Sequence, residues 1–262
     1  MSSTKRRALG QHFLRDAGVA RAIVDLLAPG ARDLVVEIGP GQGALTAELA
    51  RTPARLIALE IDAALVPRLH QRFPHAEILE ADARVWDYGA LAAPPGGRVL
   101  VAGNLPYSVS KPILSALVAA RTAITEMALM LQREVAERVA APPGGKVYGS
   151  LSVLTQLYCD VRLALRVPAS AFRPPPKVES AVLHLRVLDR PRVALIDEAR
   201  FHAVVRAAFR QRRKMIANTL AAGLGRDVDA VRKALATAGI DPTRRAETLT
   251  IQEFGTLTSQ LS

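Results

Sequence analysis

The sequence is poor in cysteine and aromatic residues and has no long apolar run. Cys159 is the sole cysteine among 262 residues, which excludes an internal disulfide framework and a multi-cysteine zinc site, and we predict no metal site. No apolar stretch approaches the roughly 20 residues of a membrane span, and no apolar signal-peptide core follows the basic start Met1–Arg7. Aromatic residues make up 4% of the chain, too few for a generic base-stacking platform. We expect a soluble, cytoplasmic monomer without membrane contacts.

Positive charge is abundant and concentrated at the two ends. The chain has 35 basic and 24 acidic residues, a formal net charge of +11. Residues 1–25 carry a net charge of +3, residues 26–189 of +2 and residues 190–262 of +6. This excess suits a polyanionic partner, although a well-solvated cationic surface is the simpler alternative.

Alternating strand and helix patterns predict an α/β fold with a mostly parallel sheet covered on both faces. The strand patterns begin at Leu34 and end with two runs, Val161–Val167 and Val178–Leu188, that suit an antiparallel pair at the end of the sheet. Beyond them, Arg200–Leu220, Val228–Ala238 and Thr250–Gln260 have helical spacing. We therefore predict an α/β domain over residues 1–189 and a small all-α domain over residues 190–262. Cys159 lies in an apolar strand pattern and is predicted to be core.

A glycine-rich turn follows the first sheet strand. Gly39, Gly41 and Gly43 allow positive φ angles and close approach of a ligand to the backbone. The spacing is tighter than the dinucleotide fingerprint, and the acid Glu37 before it would repel a pyrophosphate. Glu60 and Asp82 end the next two strands, where they could accept hydrogen bonds from ribose hydroxyls and an adenine amine. Three acids around glycines favour S-adenosylmethionine, a cationic nucleoside without phosphate.

The segment Asn104–Tyr107 ends the fourth strand and suits chemistry on an aromatic amine. Such an amine is a weak nucleophile because its lone pair is delocalised into the ring. The side-chain oxygen of Asn104 and the carbonyl of Leu105 could accept its hydrogens and turn the lone pair toward a methyl donor. Pro106 would fix the turn, and Tyr107 would offer a face on which an extruded base stacks.

Two further segments suit contact with a nucleic acid. Phe172–Ser180 is a proline-stiffened loop in which Phe172 could cover the other face of the target base; a rigid loop with Phe172 buried is the alternative. In the helix predicted over Arg200–Leu220, Arg206, Arg210 and Arg213 would share one face and form a basic ridge for phosphates. A cationic helix end that is favourable without RNA is the alternative here. Lys5, Arg6 and Arg7 form a second basic patch.

In combination, the motifs resemble the rRNA adenine N6,N6-dimethyltransferase family, specifically its bacterial members that act on the small subunit. The resemblance spans almost the whole chain and is carried by Gln11–Asp16, Val36–Gly43, Asn104–Tyr107, Phe172–Ser180, and Arg245–Leu249 with Glu253 and Phe254. It implies a Rossmann-like class I methyltransferase sheet followed by a small helical RNA-binding domain.

The resemblance also implies roles for matched residues. His12 and Leu14 would lie over S-adenosylmethionine, with Gly39 and the neighbouring Gly41 beneath it. Glu60 would hold the ribose, Asp82 the adenine, and Asn104 would bridge cofactor and target amine. The family often has asparagine at the position of His12, so its contact through side chain or backbone stays open.

The implied reaction is dimethylation of two adjacent adenines in a hairpin loop near the 3′ end of 16S rRNA, within the small subunit or its precursor. Three alternatives stay open on the sequence. They are an enzyme acting on large-subunit rRNA, a DNA adenine methyltransferase, and a non-catalytic ribosome-assembly factor that keeps the fold. The DNA enzyme would need a larger target-recognition region than residues 190–262 offer.

Overall fold

Short, mostly β-branched or leucine-rich runs form the strands in the computed structural model, which describes residues 12–261. The strands are β1 (Phe13–Leu14), β2 (Leu34–Ile38), β3 (Arg55–Glu60), β4 (Glu77–Glu80), β5 (Val99–Asn104), β6 (Glu126–Gln132), β7 (Cys159–Val167), β8 (Phe172–Arg173) and β9 (Ser180–Val187). Seven of them make one sheet in the order β4-β3-β2-β5-β6-β9-β7. Strand β2 is buried along its whole length, as expected of a central parallel strand covered on both faces.

Helices connect the strands and continue beyond the sheet. They are α1 (Ala17–Leu27), α2 (Ala44–Leu49), α3 (Val66–Arg72), α4 (Ser110–Ala119), α5 (Arg133–Ala140), α6 (Ser150–Gln156), α7 (Glu198–Ala208), α8 (Ile216–Leu224), α9 (Val228–Thr237) and α10 (Ile251–Gln260). Helix α1 begins after Asp16, whose carboxylate accepts hydrogen bonds from the amides of Gly18 and Val19. No helix within residues 12–261 is both long and apolar enough to cross a membrane.

The order in which strands are added to the sheet reverses at its centre. Strands β2, β3 and β4 follow one another outward on one side, and β5 then returns to the other side of β2. Strands β2 to β6 pair in parallel, whereas β9 pairs antiparallel to β6. The carboxyl ends of β2, β3, β4 and β5 therefore meet at one edge, at the topological switch point where open α/β sheets bind ligands. The predicted α/β class is confirmed.

A two-stranded ladder holds the beginning of the described chain. Strand β1 pairs antiparallel to β8, with Phe13 opposite Arg173 and Leu14 opposite Phe172. The predictions for Gln11 and for the basic patch at Lys5, Arg6 and Arg7 lie outside the described residues. The ladder fixes residues 12–14 beside the loop after β7, a placement that sequence patterns alone did not indicate.

The described residues form two compact units. One holds residues 12–136 and 161–187, and the other holds residues 137–160 and 188–261. The boundary predicted after residue 189 lies close to the observed change of unit after residue 187. The prediction kept residues 137–160 with the sheet, whereas the structure places them in the second unit. Side-chain contacts explain the difference: the amide of Gln156 donates to the carbonyls of Val139 and Ala141, and the Tyr158 hydroxyl bonds His202 Nε2 at 2.9 Å.

One predicted helix is wrong in extent. The pattern over Arg200–Leu220 forms two helices, α7 and α8, separated by residues 209–215. The break falls in Arg210–Lys214, where four cations lie within five residues; like charges at helical spacing repel, and this segment has no apolar residue to pack. Arg206 therefore lies in the last turn of α7, while Arg210 and Arg213 lie in the loop and share no helix face with it. Cys159 is fully buried, as predicted.

Candidate active site

A pocket opens at the carboxyl ends of the central strands. Its water-accessible volume is about 220 Å³. Most of the predicted site residues line it together: His12, Gly39, Gly41, Glu60, Asp82, Asn104, Leu105, Pro106 and Tyr107. The structure thus brings into one site residues that are separated by up to 95 positions in the chain.

The glycine turn forms one wall of this pocket. Gly39 and Gly41 both have positive φ angles, 66° and 56°. A Cβ on Gly39 would have one neighbour within 4 Å, the Asn104 carbonyl oxygen at 3.8 Å, and would otherwise occupy the space beside the pocket. The absence of a side chain at residue 39 is therefore what lets a ligand reach this backbone.

Glu60 fixes the turn to the end of β3. One carboxylate oxygen accepts the Gly41 amide at 2.9 Å and the other accepts the Asp62 amide at 2.9 Å. The residue is 3% exposed, and burial raises the pKa of its carboxyl group, against the effect of these amides. Each oxygen keeps a second lone pair, so the carboxylate has the capacity to accept a pair of hydroxyls.

Asp82 also lies in the pocket, but Arg84 holds its carboxylate. The Arg84 guanidinium donates to both carboxylate oxygens, with Nε 3.0 Å from each and Nη2 2.5 Å from Oδ2. This ion pair, together with the Arg84 amide, holds the pKa of Asp82 below its usual value. Arg84 lines the pocket too, and the sequence patterns gave no sign of it.

Glu37 differs from the other two acids, because the structure does not place it in the main pocket with Glu60 and Asp82. It is 1% exposed and does not line the main pocket; it lies beside a small cavity behind the glycine turn. Its Oε2 atom has no hydrogen-bond partner. Burial, reinforced by the charge of Glu60, raises the pKa of Glu37 to about 8, so the side chain is mostly neutral at pH 7.

Asn104 is held in one orientation at the end of β5. Its Nδ2 group donates to the backbone carbonyl of His12 at 3.0 Å. With the amide nitrogen committed to this bond, the carboxamide oxygen is the acceptor available for another group. The backbone carbonyl of His12 thus meets Asn104, while its ring Nδ1 donates to the Pro174 carbonyl at 2.8 Å.

Tyr107 is fixed from two sides. Its hydroxyl shares a 2.7 Å hydrogen bond with the buried hydroxyl of Ser180, at the start of β9. Its ring lies 5.6 Å from the ring of His12, centroid to centroid, at an interplanar angle of 32°. Ser180 ends the proline-rich motif of the sequence, so that motif supports the tyrosine through its last residue.

Phe172, by contrast, is not placed to stack on a base. It is 3% exposed, belongs to the hydrophobic core of the first unit and does not line the pocket. The alternation of a strand explains this correction, because pairing of β8 with β1 directs Phe172 to the core side beside Leu14. Leu14 is likewise in the core, 6% exposed, and borders the small cavity behind the glycine turn rather than the main pocket.

Phe13, between the two predicted ligands His12 and Leu14, has the position that sequence reasoning overlooked. Its ring packs so closely on the turn that a Cβ on Gly41 would lie 2.9 Å from its Cδ1 atom. Phe13 lines both cavities. No sequence signal was available for this placement, because β1 is only two residues long.

In the second unit, the arginines of residues 206–213 differ in what they contact. Arg206, Arg210 and Arg213 are exposed, and no partner is found for their side chains within residues 12–261. Arg212 instead donates to the carbonyls of Lys146 and Tyr148 and lies 3.5 Å from a carboxylate oxygen of Glu247. Arg212 therefore fixes the loop between α7 and α8.

Comparison with known proteins agrees with this geometry. The family model for ribosomal RNA adenine dimethylase matches residues 2–261. A ribosomal RNA small subunit methyltransferase A from Geobacter metallireducens is 47% identical over 96% of this chain and 94% of its own, and one from Chromohalobacter salexigens is 46% identical over 95% and 88%.

Solved structures share the fold. A dimethyladenosine transferase from Plasmodium falciparum has a TM-score of 0.80 at 23% identity, covering 94% of this chain and 96% of its own. The 23S rRNA methyltransferase ErmE has a TM-score of 0.71 at 25% identity, covering 95% and 99%. Since the family model matches nearly the full length and the relatives exceed 40% identity, the predicted resemblance is confirmed, and the chain belongs to the ribosomal RNA adenine dimethylase family.

Proposed function

We propose that this chain transfers methyl groups from S-adenosylmethionine to the N6 amines of two adjacent adenosines in the 3′-terminal hairpin loop of 16S rRNA. It acts as a cytoplasmic monomer on the small ribosomal subunit or its precursor. The observation that carries this proposal is the oriented Asn104 carboxamide in a pocket bounded by the glycine turn and Glu60. Small-subunit names on relatives at 46–47% identity, against 25% for ErmE, favour this substrate over large-subunit rRNA.

The residues of the pocket fit S-adenosylmethionine. Gly39 leaves the backbone open to a ligand, the two oxygens of Glu60 suit the ribose hydroxyls, and the carboxylate of Asp82 in the same pocket suits the adenine amine. When bound, this cofactor supplies an electrophilic methyl group. Phe13 and His12 line the same pocket.

Asn104 and Leu105 orient the acceptor amine. The Asn104 oxygen accepts one amine hydrogen and the Leu105 carbonyl accepts the other, which turns the lone pair out of conjugation and toward the methyl group. A neutral carboxamide is a poor base, so the proton leaves to water once the nitrogen has been methylated. The bond between Asn104 and the His12 carbonyl is what keeps the acceptor oxygen in place.

Tyr107 supports the target base by stacking. The Ser180 hydroxyl and the His12 ring hold the tyrosine ring in one orientation, so stacking costs little conformational entropy. In the second unit, Arg206, Arg210 and Arg213 contact RNA phosphates, which is supported by their exposure and by the absence of partners among the described residues.

Labelled methyl transfer to three substrates in parallel tests the proposal. The substrates are unmethylated small subunits, large subunits and duplex DNA, and the modified bases are mapped. We expect N6,N6-dimethyladenosine at two adjacent positions of 16S rRNA and background label elsewhere. Label in large subunits or DNA, or binding to small subunits without any methyl transfer, would refute the proposal.

Asn104→Ala tests the role of the carboxamide. We expect methyl transfer to fall by a factor of about 100 or more, while RNA binding stays close to normal, because the lost interaction acts on the reacting amine. Gln132→Ala is the matched control, since it removes an amide from the end of the neighbouring strand β6, outside the pocket. Near-normal turnover of Asn104→Ala would exclude the proposed orientation of the amine.

The salt dependence of RNA binding tests the basic residues. Replacing Arg206, Arg210 and Arg213 together by glutamine should reduce the slope of log K against log salt by about 2–3, one for each lost phosphate contact. A control with the same charge change replaces three other exposed cations of the second unit by glutamine: Arg226, Arg232 and Lys233. Equal slopes in the two triple variants would show that Arg206, Arg210 and Arg213 do not contact RNA phosphates.

A further inference from the structure

Arg84 takes up the acceptor capacity of the carboxylate that is assigned to the adenine. A carboxylate has about four lone-pair sites. In Asp82, Oδ1 accepts the Arg84 amide at 2.9 Å and Nε at 3.0 Å, and Oδ2 accepts Nε at 3.0 Å and Nη2 at 2.5 Å. Three N–H groups of a single residue make these four contacts, with the Nε hydrogen shared between the two oxygens, so Arg84 engages both oxygens of Asp82.

The Asp82–Arg84 ion pair lies where it can affect ligand binding. Both side chains border the pocket, and each is partly exposed, 46% for Arg84 and 26% for Asp82. The adenine amine donates hydrogen bonds, as the guanidinium does, so the two groups need the same oxygens. An adenine amine that donates to Asp82 therefore has to share an oxygen with the guanidinium or displace one of its contacts.

We propose that Arg84 is a specificity-determining residue of the cofactor site, which competes with the adenine amine for Asp82 and so weakens binding of the adenine base. The inference rests on the proposed use of S-adenosylmethionine. Its physical basis is that affinity is reduced when the acceptor must first be released from another donor. A single residue, Ala83, separates Asp82 from Arg84 in the chain, so a displaced guanidinium stays at the rim of the pocket.

The expected size follows from exposure. An exposed ion pair contributes little, so replacing Arg84 by an apolar residue of similar length should tighten binding by up to about fivefold. Arg84→Met keeps the stem that packs along the rim and removes the guanidinium. Arg84→Lys keeps the charge without the planar fork and should give an intermediate effect.

Two ligands that differ in one group make the test specific. Calorimetry would measure binding of S-adenosylhomocysteine and of its purine analogue, in which a hydrogen atom replaces the base amine. We expect Arg84→Met to bind the adenosyl ligand two- to fivefold more tightly than the wild type and the purine analogue no more tightly. In the double variant Arg84→Met/Asp82→Asn, the gain should disappear, because the acceptor that the amine uses is altered.

Arg55→Met is the matched control. Arg55 makes a comparable exposed ion pair with Glu77, 2.8 Å from Nη2 to Oε2, in the same unit but outside the pocket. Its loss removes one positive charge without freeing Asp82, and we expect unchanged binding of both ligands. Thermal melts of each variant confirm that the protein is folded.

The outcomes separate this inference from the proposed function. Unchanged or weaker adenosyl binding by Arg84→Met, or an equal change for both ligands or for Arg55→Met, overturns the competition between Arg84 and the amine. Failure of the wild-type protein to bind S-adenosylhomocysteine at all overturns the proposed cofactor, and the role of Arg84 with it.

Discussion

Glu37 offers a test of the electrostatics of the site that does not depend on catalysis. Burial raises the pKa of its carboxyl group from the ordinary 4.5 to about 8. The folded protein therefore holds a proton that the unfolded chain releases at neutral pH. Because the folded-state pKa is raised, burial of this carboxyl group does not lower the free energy of unfolding below pH 4.5. It lowers that free energy progressively as the pH rises from 4.5 to 8.

The magnitude follows from the size of the shift. One pKa unit corresponds to about 1.4 kcal/mol, so keeping Glu37 protonated lowers the free energy of unfolding by about 3 kcal/mol at pH 7. Glu37→Gln has nearly the same shape and does not titrate. Between pH 5 and pH 8, the wild type should therefore lose about 3 to 4 kcal/mol of stability relative to this variant.

Urea denaturation at pH 5, 6, 7 and 8 measures this difference. Trp86 is the sole tryptophan and lies in the same unit as Glu37, with its ring 5.0 Å from that of Tyr88, so its fluorescence reports on this unit. Glu80→Gln, which removes an exposed carboxylate from the end of β4, controls for the change in net charge. A difference between wild type and Glu37→Gln that is constant across this pH range would show that Glu37 is ionised in the folded protein.

Two further predictions concern stability elsewhere in the first unit. Phe172→Ala should lower the free energy of unfolding by about 3–5 kcal/mol because it empties a core position. Phe172→Leu should keep the rate of methyl transfer within about threefold of the wild-type rate. A large loss of methyl transfer in a stable Phe172→Leu protein would support the stacking role instead. Burial acts to raise the pKa of Asp33, but hydrogen bonds from Arg98 and the Gly30 amide outweigh it and leave the pKa below 3.8. Asp33→Asn should therefore lower the free energy of unfolding by about 2 kcal/mol at pH 7, measured by urea titration, and the difference from wild type should shrink as the pH falls below 4. A difference that is the same at pH 5 and pH 3 would contradict the pairing.

The residues that sequence reasoning located correctly are those fixed by the backbone pattern. Gly39, Glu60 and Asn104 each end or follow a buried parallel strand, and such ends meet at one edge of the sheet, so their proximity was predictable. The ladder between β1 and β8 was not predictable, since two-residue strands leave no periodic signal. For that reason the side on which Phe13 and Phe172 lie was assigned wrongly or not at all.

The three acids of the cofactor motif show why the charge of the site could not be predicted from the sequence: it depends on burial and on neighbouring side chains. In the sequence, Glu37, Glu60 and Asp82 are equivalent carboxylates at strand ends, and together they would give the pocket three negative charges. In the structure, burial neutralises Glu37, and Arg84 balances the charge of Asp82. Glu60 is then the one acid of the three that two amides hold in place with lone pairs to spare. The structure therefore leaves this pocket with less negative charge than the three carboxylates in the sequence suggest.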